Sequence, residues 1–131
     1  MKLPPFNLYE AIRATAGGRY YYLGTPFSLY RHGMEAANMQ ACCITAELMR
    51  ADVIALSPIA HSHAIAKHAA MPPGDHELWE WFDRPLMRGA CGLIVYLMPG
   101  WDESYGLTRE IDWFEKEGKP IMSLPFGWTA P

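Results

Sequence analysis

The sequence predicts an α/β protein: a parallel sheet of four or five strands in the spatial order 2-1-3-4, with helices on both faces. Short apolar or aromatic runs at residues 19–23, 53–56, 93–98 and 121–124 alternate with stretches of helical periodicity. The segments between these runs are long enough for right-handed crossovers, which make successive strands parallel. Glycine-rich turns follow the first and third runs, at the strand ends where an open α/β sheet binds its ligands.

Taken in order, Leu8 to Thr15 reads as a short helix stopped by Gly17-Gly18, an appendage before the first strand. Arg19 to Leu23 is the first strand, and Gly24-Thr25-Pro26 forms a loop that brings backbone close to a ligand. From Leu29 to Ala51, the positions Met34, Ala37, Ala41, Ile44 and Leu48 step by three and four, which predicts a long amphipathic helix. Val53 to Leu56 is a short buried strand broken by Ser57-Pro58.

The next segment holds His61, His63, His68 and His76 with Pro72-Pro73-Gly74-Asp75, and reads as a loop that covers a ligand. Its HxH spacing has no cysteine or carboxylate partner at metal-like spacing, so neither a metal nor a cofactor is expected. Asp75 caps a helix carrying Leu78, Trp79, Phe82 and Leu86, which Pro85 should bend beside Asp83 and Gly89 should end. Leu93 to Met98 is the third strand, Tyr105 to Glu117 a helix, and Ile121 to Leu124 the fourth strand.

The stretch from Gly100 to Glu110 places a carboxylate, a hydroxyl and two glycines around one strand-to-helix turn. Glu110 falls on the inward side with Leu107, Ile111 and Phe114, and the helix dipole there favours its ionised form, the form a nucleophile needs. A solvated first-turn glutamate that only stabilises the helix is the competing explanation.

The chain has 131 residues, of which 50% are hydrophobic, enough for one domain with one core. A net charge of −3 gives no electrostatic footprint for a nucleic-acid polymer or an anionic membrane. No apolar run is long enough to span a bilayer and no signal-peptide pattern stands at residues 1–18, so a cytoplasmic location is expected. Cys42, Cys43 and Cys91 then read as reduced core residues.

Three stretches together resemble the nucleoside 2-deoxyribosyltransferase-like family, which includes deoxynucleotide N-glycosidases and uncharacterised relatives. They are Tyr22-Leu23-Gly24-Thr25-Pro26-Phe27, Asp83-Arg84-Pro85-Leu86-Met87 and Ser104-Tyr105-Gly106-Leu107-Thr108-Arg109-Glu110. The resemblance implies a flavodoxin-like domain over about Tyr20 to Leu124 and a homo-oligomer in which a neighbour commonly completes the pocket. It implies that Glu110 attacks C1′ of a nucleoside or 5′-nucleotide, that Asp83 protonates or positions the leaving base or holds sugar hydroxyls, and that Tyr22 orients Glu110 or the sugar. Transferases of the family often carry aspartate where Ser104 stands, and serine is similar to the nucleotide-hydrolysing relatives. Ser104 with Gly106 at a helix N-terminus suits a phosphate.

The substrate-binding set expected around these groups is Gly24, Thr25, Pro26, His61, His63, Trp101, Ser104 and Gly106. Two other classes stay open: a non-catalytic nucleotide-binding or sensing module, and a silent interaction domain. Tyr9, Tyr20 and Trp128 fit either an oligomer interface or closure of the protein's own core.

Overall fold

The structure is a computed structural model and describes residues 2–131. Four parallel strands, β1 (Tyr21–Gly24), β2 (Ala55–Leu56), β3 (Gly92–Tyr96) and β4 (Ile121–Leu124), lie in the order β2-β1-β3-β4. Five helices accompany them: α1 (Leu8–Thr15), α2 (Met34–Arg50), α3 (Pro58–Ala69), α4 (His76–Gly89) and α5 (Tyr105–Lys116). The fold is the doubly wound α/β arrangement, with the sheet order as expected.

Alternation along the strands divides the core into two layers. Tyr21, Leu23, Ile94, Tyr96, Met122 and Leu124 face α1 and α2, while Tyr22, Leu93, Val95 and Ile121 face α4 and α5. From α2 the buried positions are Ala37, Ala41, Ile44 and Leu48; Met34, at the first turn, stays exposed. The functional consequence is set by β1, because Tyr22 is the side chain it directs toward α5.

Residues 2–18 are not an appendage. Pro5 bridges to Ser123, Phe6 N–H donates to Ser123 O at 2.8 Å, and Ser123 N–H donates to Pro4 O at 2.7 Å. This covers the free edge of β4, which would otherwise present unpaired backbone groups. Ala11 and Thr15 of α1 are buried, and Phe6 packs edge-on against Trp128 at 5.4 Å, so that tryptophan closes the protein's own core. Tyr20 is likewise used internally, donating to Leu86 O at 2.6 Å, whereas Tyr9 is exposed.

Most of the histidine-bearing segment after β2 is helix and not loop: only residues 70–75, between α3 and α4, are irregular, and His76 opens α4. Ser57 accepts from Ala60 N–H at 3.1 Å, Pro58 opens the first turn, and α3 runs through His61, His63 and His68. Serine at the cap and proline at the first helical position form a helix start signal, so Ser57-Pro58 both ends β2 and begins α3. Pro85 does not interrupt α4, which continues to Gly89. Its C-terminal carbonyls find another donor: Lys119 Nζ bonds to the oxygens of Met87, Arg88 and Ala90 at 3.2, 2.6 and 2.8 Å. Cys42 and Cys43 are exposed on the outer side of α2, not in the core, and all three thiols are free.

Gly92 begins β3, where it packs against Tyr21 and the backbone of Pro120. A Cβ there would stand 2.7 Å from Pro120 O and 2.9 Å from Tyr21 Cε1. One of these contacts is backbone and cannot rotate away. Gly92→Ala should therefore destabilise the protein by about 1–3 kcal/mol, the usual cost of overpacking a filled core. Urea denaturation reads this as a lower midpoint at unchanged slope; an unchanged midpoint would mean that the strand shifts freely.

Candidate active site

The parallel register pairs Tyr22 of β1 with Leu93 of β3, and α5 follows β3 back over the same face. Leu107, Ile111 and Phe114 anchor α5 to the sheet, which carries Glu110 on the same side of the helix. Tyr22 and Glu110 meet there, with Tyr22 Oη donating to Glu110 Oε2 at 2.6 Å. Burial first, then the neighbouring carboxylates Glu110 and Asp83, hold the Tyr22 phenol well above its ordinary range, so it remains a proton donor in this contact.

Gly24 makes the approach possible. A Cβ at this position would lie 2.5 Å from Leu107 Cδ1 and 3.6 Å from Glu110 Oε1. The end of β1 must therefore lack a side chain for α5 to sit this close, which is a physical reason for glycine in Leu23-Gly24-Thr25.

Above this contact lies a cavity of about 370 Å³ between the β1 loop and helices α3, α4 and α5. Thr25 and Phe27 border it from the loop, Ser62 and His63 from α3, Trp79 and Asp83 from α4, and Ser104, Gly106 and Glu110 from α5. Its size and mixed apolar and polar walls suit a small organic molecule.

The carboxyls are perturbed unequally. Glu110 is pushed up to about 8, chiefly by burial and further by the negative charge of Asp83, against the lowering effect of the Tyr22 hydrogen bond. Asp83 is raised to about 6 by burial alone. This corrects the expectation that the helix dipole keeps Glu110 ionised: the dipole contributes about 1 kcal/mol at a helix end, and desolvation outweighs it. At pH 7 the free site holds Asp83 mostly ionised and Glu110 mostly protonated.

Of the binding residues expected from sequence, Thr25, His63, Ser104 and Gly106 border the cavity, and Gly24 lies beneath it. Ser104 also caps α5, its Oγ accepting from Leu107 N–H at 3.3 Å. Pro26, His61 and Trp101 do not line it. Pro26 is buried, and Trp101 lies in a single 3₁₀ turn packed toward the α5 core. His61 stacks on Phe82 of α4 at 5.7 Å, whereas His63 packs edge-on against Phe27 at 5.6 Å and lies 3.0 Å from Glu35. Two residues apart on a helix point about 200° apart, so the HxH pair cannot converge as it would on a strand. Among the described residues no three side chains of metal-binding type are grouped to hold an ion.

The sequence reading missed Phe27, Trp79, Glu80, Arg84 and Trp113 as cavity residues. A usable signal existed for the α4 wall: Trp79, Asp83 and Met87 recur every four residues, on the stripe that also carries Glu80 and Arg84. Glu80 holds Arg109 of α5 in a two-point ion pair, its second contact at 3.2 Å, which ties the two helices across the cavity mouth.

No curated protein matches the chain. The family model described as "Domain of unknown function (DUF1937)" matches residues 19–125, a stretch that contains all four strands and Tyr22, Asp83 and Glu110. A match over most of the sequence makes this chain a member of the DUF1937 family.

Proposed function

We propose that this protein cleaves the N-glycosidic bond of a nucleoside or 5′-nucleotide, passing the glycosyl group to water or to a second base. The observation that carries the reading is the carboxyl of Glu110, fixed by Tyr22 at the floor of a cavity that Asp83 also borders. Two carboxyls in one pocket are the minimum set for a glycosyl transfer with retention, one attacking carbon and the other handling the proton.

The site's proton inventory sets the reactive form. Between pH 6 and 8 the pair shares one proton, and attack requires it on Asp83 with Glu110 ionised. Glu110 then bonds to C1′ as the C1′–N bond breaks, the bond's electrons go to the base nitrogen, and Asp83 gives that nitrogen its proton. In the second half, water or another base loses a proton to Asp83, bonds to C1′ and releases the Glu110 carboxylate. Tyr22 donates to Glu110 throughout and so stabilises the ionised nucleophile and leaving group.

Ser104 and Gly106, where α5 begins beside the cavity, support a 5′-phosphate in the substrate. The three free thiols fit a reducing compartment, and the reading places the enzyme in the cytoplasm as a homo-oligomer. Among the described residues no helix is long and apolar enough to cross a membrane.

A second reading is favoured by the protonated state of Glu110 in the free site: a neutral acid can hold a ribose hydroxyl without attacking carbon. One experiment separates the two. Incubation with a panel of nucleosides and 5′-nucleotides, with free base followed by chromatography, should show base release. Saturable binding with no release from any member would replace the enzyme by a nucleotide-binding module.

A further inference from the structure

Three buried side-chain atoms among the described residues lack a hydrogen-bond partner: Thr25 Oγ1, Asp83 Oδ1 and Arg84 Nε. All three residues border the same cavity. Buried polar atoms are rarely left unpaired, so their concentration here is the mark of a ligand that supplies the partners. Thr25 and Asp83 belong to the site already described. Arg84 is unassigned.

The cations on this wall differ in their engagement. Arg109 is held by Glu80, and Lys116 by Asp112 at 2.9 Å. Arg84 makes no ion pair among the described residues, and the neighbouring Asp83 is raised by burial without any compensating effect from it. Its guanidinium instead lies over the Trp113 ring, 5.9 Å from the centroid. The ring face holds the guanidinium while its terminal N–H groups have no protein partner among the described residues, an arrangement suited to contact with an oxyanion.

We infer that Arg84 is the anion-recognising residue of this cavity, taking a phosphate or carboxylate of the ligand through its terminal N–H groups. Trp113 lies one turn beyond Glu110 toward the C-terminal end of α5, whereas Gly106 lies one turn before it. Seven residues of helix separate Gly106 from Trp113, about 10 Å, so the two ends of the site receive different parts of an extended ligand. The inference rests on the cavity and not on bond cleavage. On the nucleotide reading the oxyanion is an acidic substituent of the base if Ser104 and Gly106 take the phosphate, and is the phosphate itself only if they do not.

Equilibrium binding to the whole protein tests it, with inorganic phosphate, ribose 5-phosphate and nicotinate as anionic probes and ribose and nicotinamide as their neutral counterparts. At least one anion should bind saturably and more tightly than its neutral counterpart. Arg84→Gln should weaken that anion by about tenfold or more, the usual worth of a charge-assisted hydrogen-bonded contact. Arg84→Lys, which keeps charge but loses the fork, should fall in between. Arg88→Gln, one turn along α4 and outside the cavity, should bind as the wild type does. Dependence of both phosphates on Arg84 assigns it to the phosphate, and dependence of nicotinate alone assigns it to an acidic base. Absence of anion binding, or equal binding by wild type and Arg84→Gln, would overturn the assignment. If Arg84→Gln fails to fold by circular dichroism, undiminished anion binding by Arg84→Lys has the same force. None of these measurements requires turnover, so a lack of base release leaves the outcome intact.

Discussion

Glu110→Gln should abolish base release by orders of magnitude while leaving ligand binding largely in place. The amide keeps the shape that Leu107 and Gly24 enclose and still accepts from Tyr22, but it cannot form the glycosyl ester. A slowly hydrolysed 2-fluoro sugar analogue should leave a covalent adduct that mass spectrometry maps to Glu110. Release at the wild-type rate by the glutamine variant would end the nucleophile assignment.

The same substitution has a signature in stability. The folded-state value of about 8 lies above the ordinary 4.5, so the folded protein holds a proton that the unfolded chain has lost between these limits. The resulting contribution is fully present below pH 4.5 and disappears as pH rises through about 8. Wild-type protein should therefore lose melting temperature between pH 5 and pH 8.5, and Glu110→Gln should lose less. Parallel decline of the two would show that Glu110 ionises in the fold as easily as in water.

Asp83→Asn should cost about 10²- to 10⁴-fold in kcat/KM, the usual range for removing acid–base assistance. It should also change the shape of the pH profile. For the wild type, kcat/KM should be bell-shaped, with limbs near pH 6 and near pH 8, because only the form with a single proton reacts. The reactive arrangement, with that proton on Asp83, is the minor one of this form, because burial raises Glu110 further than it raises Asp83. Asparagine removes one limb and also the negative charge that helps to raise Glu110. The variant's residual activity should rise to a plateau, with a midpoint below 8. A bell that survives in Asp83→Asn would assign the second titration to another group, and Asp83 would then only position the substrate.

The sequence alone determined the sheet. Apolar runs separated by crossover-length segments dictate parallel strands, and the observed order β2-β1-β3-β4 follows from winding them in both directions. Helix α1 was legible to the residue at both ends, with Gly17-Gly18 as its stop, and Asp75 was legible as the cap of α4. Glu110 could be singled out because the period of α5 places it with Leu107 and Phe114, and the strand-end rule places α5's first turns at the crevice.

Other features lay beyond local pattern. Whether Pro4 to Phe6 hang free or cover an edge depends on the backbone groups of β4, more than a hundred residues away. The histidines' separation, by contrast, follows from helical geometry whose local signal was Ser57-Pro58 and the alanine- and isoleucine-rich run after it. Cysteine types are usually buried, yet Cys42 and Cys43 fall on the outward side of α2 once Ala41 and Ile44 take the inward one. The ionisation of Glu110 was least legible of all. The dipole that favours its charge is a property of α5 itself, but the stronger desolvation that opposes it exists only where β1, α4 and α5 come together around the carboxyl.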